Sequence, residues 1–197
     1  LASIKSGDSI NSLKYKFVSD TLHISPTGYP LLEHPLYPDL ELTNLLRSAN
    51  TIVYHKSSEK IERYGPAWAW DDFKQYFSPE RSSFPIYGNV IMITKLENGE
   101  LRIKPNIFNI NLDSTSSQSY TRKENKNDFT INPLKIKLND TILIPYIVSD
   151  ENTIALLKHL TMKEVISESN DIINPDNLYS KVPEKIYQSI LKKSDNL

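Results

Sequence analysis

The sequence predicts an α+β fold that is rich in strands through its middle and has helices toward its end. Short β-branched and aromatic runs alternate with turn residues, as expected for strands joined by tight connections. An Asn98-Gly99 pair stands between two such runs, and apolar residues recur at helical spacing near the end of the chain. The length of 197 residues fits one large domain or two small ones.

The first part of the chain is predicted to form a hairpin, a short helix and a further strand. Residues 15–18 and 21–24 are strand-like and flank a turn-sized connection, Ser19-Asp20. Asp39 can cap a helix with a buried leucine stripe. The stripe would consist of Leu40, Leu42, Leu45 and Leu46. Residues 51–54 are β-branched and aromatic, which favours a strand.

The middle of the chain is predicted to be mostly sheet. Asn98-Gly99 tolerates the positive φ angles of a type I′ turn, so residues 90–96 and 100–104 are expected to form a hairpin with one buried face. Residues 113–128 are nearly all polar and are expected to form a solvated excursion or a loose hairpin. Residues 131–138 alternate between apolar and polar, and residues 142–148 are typical of a more buried strand.

Two helices are predicted near the end of the chain. Ser149 or Asp150 can cap the first, over residues 151–160. Its apolar residues at helical spacing are Ile154, Leu157 and Leu160. The second has Pro183 in its first turn and basic residues in its last turn, which suits the helix dipole.

The composition excludes several classes of function. The 23 basic and 24 acidic residues give a net charge of −1 with no acidic or basic half, so the chain lacks the electrostatic footprint of a nucleic-acid or anionic-membrane binder. No run approaches the roughly 18–20 apolar residues that a membrane span requires. Cysteine is absent, which excludes thiol catalysis and cysteine zinc sites. Neither a glycine-rich phosphate loop nor a Gly-x-Ser-x-Gly elbow is present.

The histidines are not spaced along the sequence as metal ligands usually are. His23, His34, His55 and His159 lack the i, i+4 or short-loop separation of zinc ligands. A structural or surface role is therefore the expectation for each of them, and no metal site is predicted.

The most distinctive segment is residues 64–73, Tyr-Gly-Pro-Ala-Trp-Ala-Trp-Asp-Asp-Phe. It holds both tryptophans of the chain, Trp68 and Trp70, followed directly by Asp71 and Asp72. One interpretation is a hydrophobic corner in which an aspartate caps a short helix. The other is the wall of a peptide or sugar subsite, where an indole packs on the ligand and a carboxylate holds an ammonium or hydroxyl group.

Serine motifs of penicillin-recognising enzymes occur about as often as chance predicts. Ser-x-x-Lys matches begin at Ser57 and Ser189, and Ser-x-Asn matches begin at Ser9, Ser48 and Ser194. The motifs alone therefore indicate nothing, and the sequence context has to decide.

Several segments, taken in order, resemble one family. Residues 65–73, followed by Ser-Phe-Pro-Ile-Tyr-Gly-Asn at 83–89, resemble the low-molecular-mass class C penicillin-binding proteins. These are serine D-alanyl-D-alanine carboxypeptidases and endopeptidases of the peptidase S13 type, and the segments look most like those of Bacteroidetes-like bacteria. Residues 15–35 and 182–197 are similar to the family as well, so the resemblance covers nearly the whole chain and is weakest over 105–140.

The resemblance implies strand-rich domains inserted into a penicillin-binding, β-lactamase-like fold, between its Ser-x-x-Lys and Ser-x-Asn motifs. The chain would then be a piece of a longer protein. Residues 1–176 would be the inserted region, with a subdomain boundary left open near 105–140, and residues 177–197 a helix re-entering the catalytic domain. The parent protein would be periplasmic or otherwise extracytoplasmic, although the chain carries no export signal.

The resemblance also implies acyl transfer by a serine and a lysine that both lie outside this chain. Ser194 would relay a proton toward the leaving amine, and Asn196 would donate to the substrate's carbonyl group and to the lysine. Trp68 and Asp71, with Asp72 as the alternative, would hold the free amino end of the peptide stem. The implied partners of the parent are peptidoglycan peptide and β-lactams, with no cofactor and no nucleic acid.

An alternative of another class is a non-catalytic module that binds peptidoglycan or carbohydrate in the cell wall. The parent of such a module would lack the full set of catalytic motifs. A third possibility, a secreted carbohydrate-binding domain, rests only on the two tryptophans. A Ser-x-x-Lys motif just upstream and a Lys-Thr-Gly motif downstream in the parent would separate the two hypotheses.

Overall fold

Three sheets and two α-helices make up the part of the chain that the structure describes. The structure is a computed structural model and describes residues 9–65 and 70–181, apart from the side chains of Trp70 and Asp71. The strands are β1 (Ser9–Val18), β2 (Thr21–Pro26), β3 (Thr51–His55), β4 (Val90–Lys95), β5 (Leu101–Lys104), β6 (Asn109–Leu112), β7 (Tyr120–Arg122), β8 (Asp128–Ile131), β9 (Thr141–Pro145), β10 (Glu164–Glu168) and β11 (Asp176–Lys181). The helices are α1 (Leu40–Ser48) and α2 (Asp150–Thr161).

The largest sheet has five strands in the order β10-β3-β2-β1-β11. Strands β2, β3 and β10 run parallel to one another, whereas β1 is antiparallel to both β2 and β11. The two smaller sheets have the orders β5-β4-β9 and β6-β8-β7. One hydrophobic cluster extends from the five-stranded sheet through both smaller sheets and the two helices. The predicted α+β class is confirmed.

The predictions for the first part of the chain are confirmed except for one leucine. The β1–β2 hairpin pairs Val18 with Thr21 around the predicted turn, and Asp39 Oδ1 accepts a hydrogen bond from the Leu42 N–H at 3.1 Å, which caps α1. The prediction that Leu40 is buried is wrong, because 65% of it is exposed. It shares its helix face with residues 44 and 47, which are also exposed, whereas the buried stripe passes through residues 42, 43 and 46.

The hairpin at Asn98-Gly99 is confirmed, but the predicted turn type is wrong. Strands β4 and β5 pair antiparallel, with Lys95 opposite Leu101. Gly99 has a φ of 85°, while Asn98 is not among the residues with positive φ, which a type I′ turn would require. The Gly99 N–H donates to the Leu96 carbonyl at 2.9 Å, and the Leu96 N–H donates to the Glu100 carbonyl at 2.8 Å. This is a three-residue loop that closes with a glycine bulge.

The polar region 113–128 contains the predicted loose hairpin. Strands β7 and β8 pair antiparallel, and β8 also pairs in parallel with β6. The prediction of a strand over residues 131–138 is wrong, because β8 ends at Ile131 and a 3-10 turn follows at Pro133–Lys135. Asn132 Oδ1 accepts from the Leu134 N–H at 3.0 Å, and this cap starts the turn before the alternating pattern can pair with a neighbouring strand.

The region after residue 140 confirms one predicted strand and one predicted helix. Strand β9 confirms residues 142–145 of the strand predicted over 142–148, and Ser149 Oγ accepts from the Asn152 N–H at 3.2 Å to cap α2. Strands β10 and β11 were not predicted from the sequence. They are the two edge strands of the largest sheet, and each buries only one of its residues, so neither carries an apolar pattern. The second predicted helix lies outside the described residues. The prediction of a re-entering helix over 177–197 is wrong at its start, because residues 177–181 belong to strand β11, and the rest of it lies outside the described residues.

Candidate functional site

The residues predicted to bind substrate or to act in catalysis are only partly described. Trp68, Ser194 and Asn196 lie outside the described residues. The backbone of Asp71 belongs to a 3-10 turn at Trp70–Lys74, but its side chain is not described. Asp72 is half-buried in the same turn. The arrangement of these residues around a ligand stays a prediction, whereas the residues on both sides of the segment are described in full.

Glu80 is a buried carboxylate that links stretches of chain lying before and after residues 64–73. Only 4% of it is exposed. Its Oε1 lies 2.7 Å from the Arg63 guanidinium, and its Oε2 accepts a hydrogen bond from the Val148 N–H at 3.0 Å. The Arg81 N–H also donates to the Arg63 carbonyl at 2.9 Å. The stretches of chain before and after residues 64–73 are therefore held side by side, next to the end of β9.

Arg122 is a second cation beside Glu80 and contacts the last residue of the segment. Its Nη1 lies 4.0 Å from Glu80 Oε1 and donates to the Pro145 carbonyl at 3.0 Å. The guanidinium also lies 4.8 Å from the centre of the Phe73 ring, which is a cation–π contact. We call Arg63, Phe73, Glu80 and Arg122 the Glu80 cluster.

The charges of the Glu80 cluster offset one another. Burial lowers the pKa of Arg122, and the charge of Glu80 and the contact with Tyr64 oppose this effect. Burial also disfavours the charge on Arg63, but the hydrogen bond and the charge of Glu80 outweigh it, so that the pKa of Arg63 is raised. Both guanidiniums stay charged, and the carboxylate of Glu80 is committed to them. Glu80 is therefore a positioning residue for the segment and not a free acceptor for a ligand cation.

Residues 83–89 form hydrogen bonds that hold residues 80–82 in place. Asn89 Nδ2 donates to the Glu80 carbonyl at 2.8 Å and to Ser82 Oγ at 3.0 Å. The buried Tyr146 hydroxyl donates to the Ile86 carbonyl at 2.7 Å. Gly88 has a φ of 63°, and a Cβ there would come within 3.0 Å of the His34 ring. The Ile-Tyr-Gly-Asn sequence is thus explained by the turn it forms, which ties residues 80–82 to β9.

A cleft of about 420 Å³ opens beside the Glu80 cluster. Its apolar wall includes Tyr54 and Phe84, whose stacked rings lie 5.9 Å apart. Ser57, Arg63 and Arg81 supply hydroxyl and guanidinium groups on another side. Such donors suit the carbonyl and carboxylate groups of a peptide. Ser57 Oγ accepts a hydrogen bond from the Glu59 N–H at 3.2 Å, as a serine in a turn does.

Sequence spacing gave no sign that two histidines meet in the fold. His23 on β2 and His55 on β3 lie with His23 Nδ1 2.9 Å from His55 Nε2. With Glu168 on β10 they form a group whose possible ligand atoms all lie within 4.8 Å of one another. We call these three residues the histidine cluster. Only the pairing of β2, β3 and β10 brings them together, which the spacing of the histidines in the sequence does not indicate. The structural or surface role of each histidine stays a prediction.

Comparisons with known proteins agree with the predicted fold. No protein-family model matches the chain, and no curated protein matches it. The crystal structure of penicillin binding protein 4 (dacB) from Haemophilus influenzae matches it with a TM-score of 0.59 at 15% sequence identity, over 97% of this chain and 50% of that one. The chain has a penicillin-binding-protein-like fold. It spans about half the length of this solved structure.

The penicillin-binding-protein-like fold confirms the coarser part of the sequence resemblance. The S13 type, the Bacteroidetes-like character and the predicted domain boundary stay predictions, because a likeness at 15% identity shows the fold alone. Among the described residues, none of the helices has the length and apolar character needed to cross a membrane.

Proposed function

We propose that this chain is part of a serine-type D-alanyl-D-alanine carboxypeptidase or endopeptidase that acts on peptidoglycan stem peptides. The observation that carries the proposal is the fold match over 97% of the chain to half of a penicillin-binding protein. The Trp-Ala-Trp-Asp-Asp and Ile-Tyr-Gly-Asn blocks support it from the sequence. The parent protein would also bind β-lactams and act outside the cytoplasm.

The proposed reaction is acyl transfer, with the nucleophilic serine and its lysine outside these 197 residues. The serine attacks the carbonyl group between the two D-alanines, and the terminal D-alanine leaves as a protonated amine. Ser194 relays the proton to that amine, and Asn196 donates hydrogen bonds that hold the substrate's carbonyl group and the lysine in place. Water then releases the acyl group from the serine.

The proposed role of the segment 64–73 is to bind the free amino end of the peptide stem. Trp68 packs against the ligand, and Asp71 or Asp72 accepts hydrogen bonds from its ammonium group. The Glu80 cluster supports this role because it fixes Arg63 on one side of the segment and Phe73 on the other. Glu80 itself is neutralised by arginines, which leaves the two aspartates as the carboxylates for an ammonium group.

The proposal is tested by labelling the parent protein with a fluorescent penicillin and measuring intact mass. We expect one covalent adduct on the parent, none on the 197-residue chain alone, and an adduct peptide that maps outside residues 1–197. An adduct within the chain would contradict the placement of the nucleophile. If neither protein forms an adduct, this result would contradict the proposed enzyme activity and favour the non-catalytic wall-binding module.

The choice between the two aspartates needs its own experiment. Asp71→Asn and Asp72→Asn variants of the parent are compared on a stem peptide with a free side-chain amine and on the same peptide acetylated. The contacting aspartate is expected to lose about 10- to 100-fold in kcat/KM on the free amine only, because a hydrogen bond to a charged group is worth about 1.5–3 kcal/mol. The other variant is the matched control. Equal losses on both peptides would contradict recognition of the ammonium group.

A further inference from the structure

We propose that the histidine cluster, His23, His55 and Glu168, binds a divalent transition-metal ion such as Zn²⁺. The three residues come from neighbouring parallel strands of the five-stranded sheet, β2, β3 and β10. Two imidazoles and a carboxylate are a donor set that zinc accepts in proteins. The proposed site lies apart from the segment 64–73 and needs no assumption about the reaction.

Strand register places the three side chains on one face of the sheet. Glu168 pairs with His55, and His23 pairs with Val53, which is two residues before His55. Side chains alternate between the two faces of a sheet, so residues in register or two apart share a face. The opposite face carries Leu22, Ile24, Ile52 and Tyr54, which belong to the hydrophobic core. The histidine cluster therefore lies on the face of the sheet that is turned away from the core.

A backbone carbonyl fixes the tautomer of His55. His55 Nδ1 lies 2.5 Å from the Asn170 carbonyl, which can only accept, so Nδ1 carries the hydrogen. In a neutral ring the lone pair is then on Nε2, which faces His23 Nδ1 at 2.9 Å. Histidines that bind metals almost always donate their other N–H to a carbonyl or carboxylate. His55, of which only 3% is exposed, is thus held in the tautomer and orientation of a metal ligand.

The spacing of the two histidine nitrogens fits a metal ion in place of the hydrogen between them, and the Glu168 oxygen, within 4.8 Å of both, has to move closer to bind it. In a tetrahedral site with Zn–N bonds of about 2.0–2.1 Å, ligand atoms lie about 3.3 Å apart. The two histidine nitrogens need to separate by less than about half an ångström from their 2.9 Å to reach this spacing. His23 then carries its proton on Nε2, Glu168 supplies an oxygen with a negative charge, and water completes the fourth position.

The segment 169–175 is tied to this face by two of its carbonyl groups. The Asn170 carbonyl accepts from His55, and the Ile173 carbonyl accepts from Lys16 Nζ at 2.9 Å. Lys16 is the register partner of His23, and this hydrogen bond uses one of the three N–H donors of its ammonium group. A bound ion would join β2, β3 and β10 through their side chains and hold the segment that follows β10 in place.

The test uses the complete 197-residue chain after treatment with a chelator. Zinc binding is measured by titration calorimetry, and the absorption spectrum of bound Co²⁺ reports the coordination number. The variants are His23→Ala and Glu168→Gln, and His159→Ala, an exposed residue of α2, is the matched control. We expect one zinc ion per chain and a four-coordinate Co²⁺ spectrum for the wild type and for the control.

The two cluster variants decide the outcome. We expect His23→Ala to weaken zinc binding by more than about 100-fold, since losing even an outer-shell partner costs about 10- to 100-fold. Glu168→Gln keeps the shape of the side chain, so it tests the metal-binding role of the carboxylate even if the His23→Ala variant does not fold. We expect it to weaken binding at least about tenfold and to remove the four-coordinate spectrum. Equal affinity of Glu168→Gln and His159→Ala, or no one-to-one complex with the wild type, would overturn the proposal.

Discussion

The Glu80 cluster and the histidine cluster each have a buried polar side chain at their centre, Glu80 and His55, but their charges are balanced in different ways. Glu80 has a cation on each side and a backbone N–H as a third partner, so the charge of this carboxylate is balanced within the protein. In the histidine cluster two ring nitrogens share one proton, and the nearby third residue is a carboxylate. The first arrangement fixes a segment of chain, whereas the second has converging lone pairs that a cation can use.

The largest expected effect comes from breaking the Glu80 cluster. Glu80→Ala leaves the buried Arg122 without its counter-charge, and removing one partner of a buried ion pair costs about 3–5 kcal/mol. Denaturant unfolding of the 197-residue chain measures this loss. Glu164→Ala, at an exposed position of β10, is the control and is expected to change stability by less than about 0.5 kcal/mol. Similar values for the two variants would contradict the role given to Glu80.

Substituting a buried apolar residue shows how much stability is lost by removing buried surface alone, without any change in charge. Leu42→Ala removes a fully buried side chain from α1 and is expected to cost about 3 kcal/mol, within the range for core leucines. Leu40→Ala, one position outside the buried stripe, is expected to cost less than about 0.5 kcal/mol. Unfolding curves of both variants check this difference. A larger loss at Leu40 would show that this face of α1 is covered.

A neutral buried hydrogen bond should have a smaller effect than the charged cluster. Tyr146→Phe keeps the ring but removes the hydroxyl that donates to the Ile86 carbonyl, and burial raises the pKa of that hydroxyl so that it remains a donor. The Ile86 carbonyl keeps the Asn89 N–H as a donor at 3.0 Å, so only one hydrogen bond is lost, which costs about 1 kcal/mol. Tyr179→Phe, with 58% of the residue exposed, is the matched control and should leave the unfolding midpoint unchanged.

The smallest expected effect is the pH dependence that Asp39 contributes. Burial favours its neutral form, but hydrogen bonds from Ser180, the Leu42 N–H and Tyr29 outweigh burial, and the pKa of Asp39 is lowered from 3.8. The resulting stability is fully present above the unfolded-state pKa and is lost as the pH falls through the lower folded-state value. Asp39→Asn keeps a helix cap but cannot titrate.

Unfolding curves from about pH 5 downward check this assignment. We expect the wild type to lose more stability than Asp39→Asn below pH 3.8, where the unfolded chain takes up the proton first. Parallel pH profiles for the two proteins would contradict it.

The sequence predicts elements well where the local signal and the burial agree. The β1–β2 hairpin, α1, α2 and β9 all combine an apolar pattern with a turn or a cap, and all are present. Strands β10 and β11 escape prediction because an edge strand buries little and carries no period-2 pattern. The Asn98 turn differs from the prediction because the loop has three residues instead of two, a choice that depends on how β4 and β5 pair.

The site is harder to predict than the fold because its contacts join residues far apart in the chain. The distinctive 64–73 segment is visible in the sequence, but the cation that contacts its Phe73 is Arg122, which lies far along the chain on strand β7. His23 and His55 meet only through the register of two parallel strands, and Glu168 lies on a strand that the sequence does not predict. Spacing rules for metal ligands apply to helices and short loops, so they miss a site built across a sheet.

The most direct measurement of the central claim is the release of D-alanine from a stem pentapeptide by the parent protein. The account predicts turnover by the wild type and a loss of about 10²- to 10⁴-fold in kcat for Ser194→Ala, the range for losing a group that transfers protons. Ser189→Ala, at the Ser-x-x-Lys match five residues earlier, is the control and should retain activity. A parent protein that releases no D-alanine, or a Ser194→Ala variant as active as the control, would contradict the proposed function.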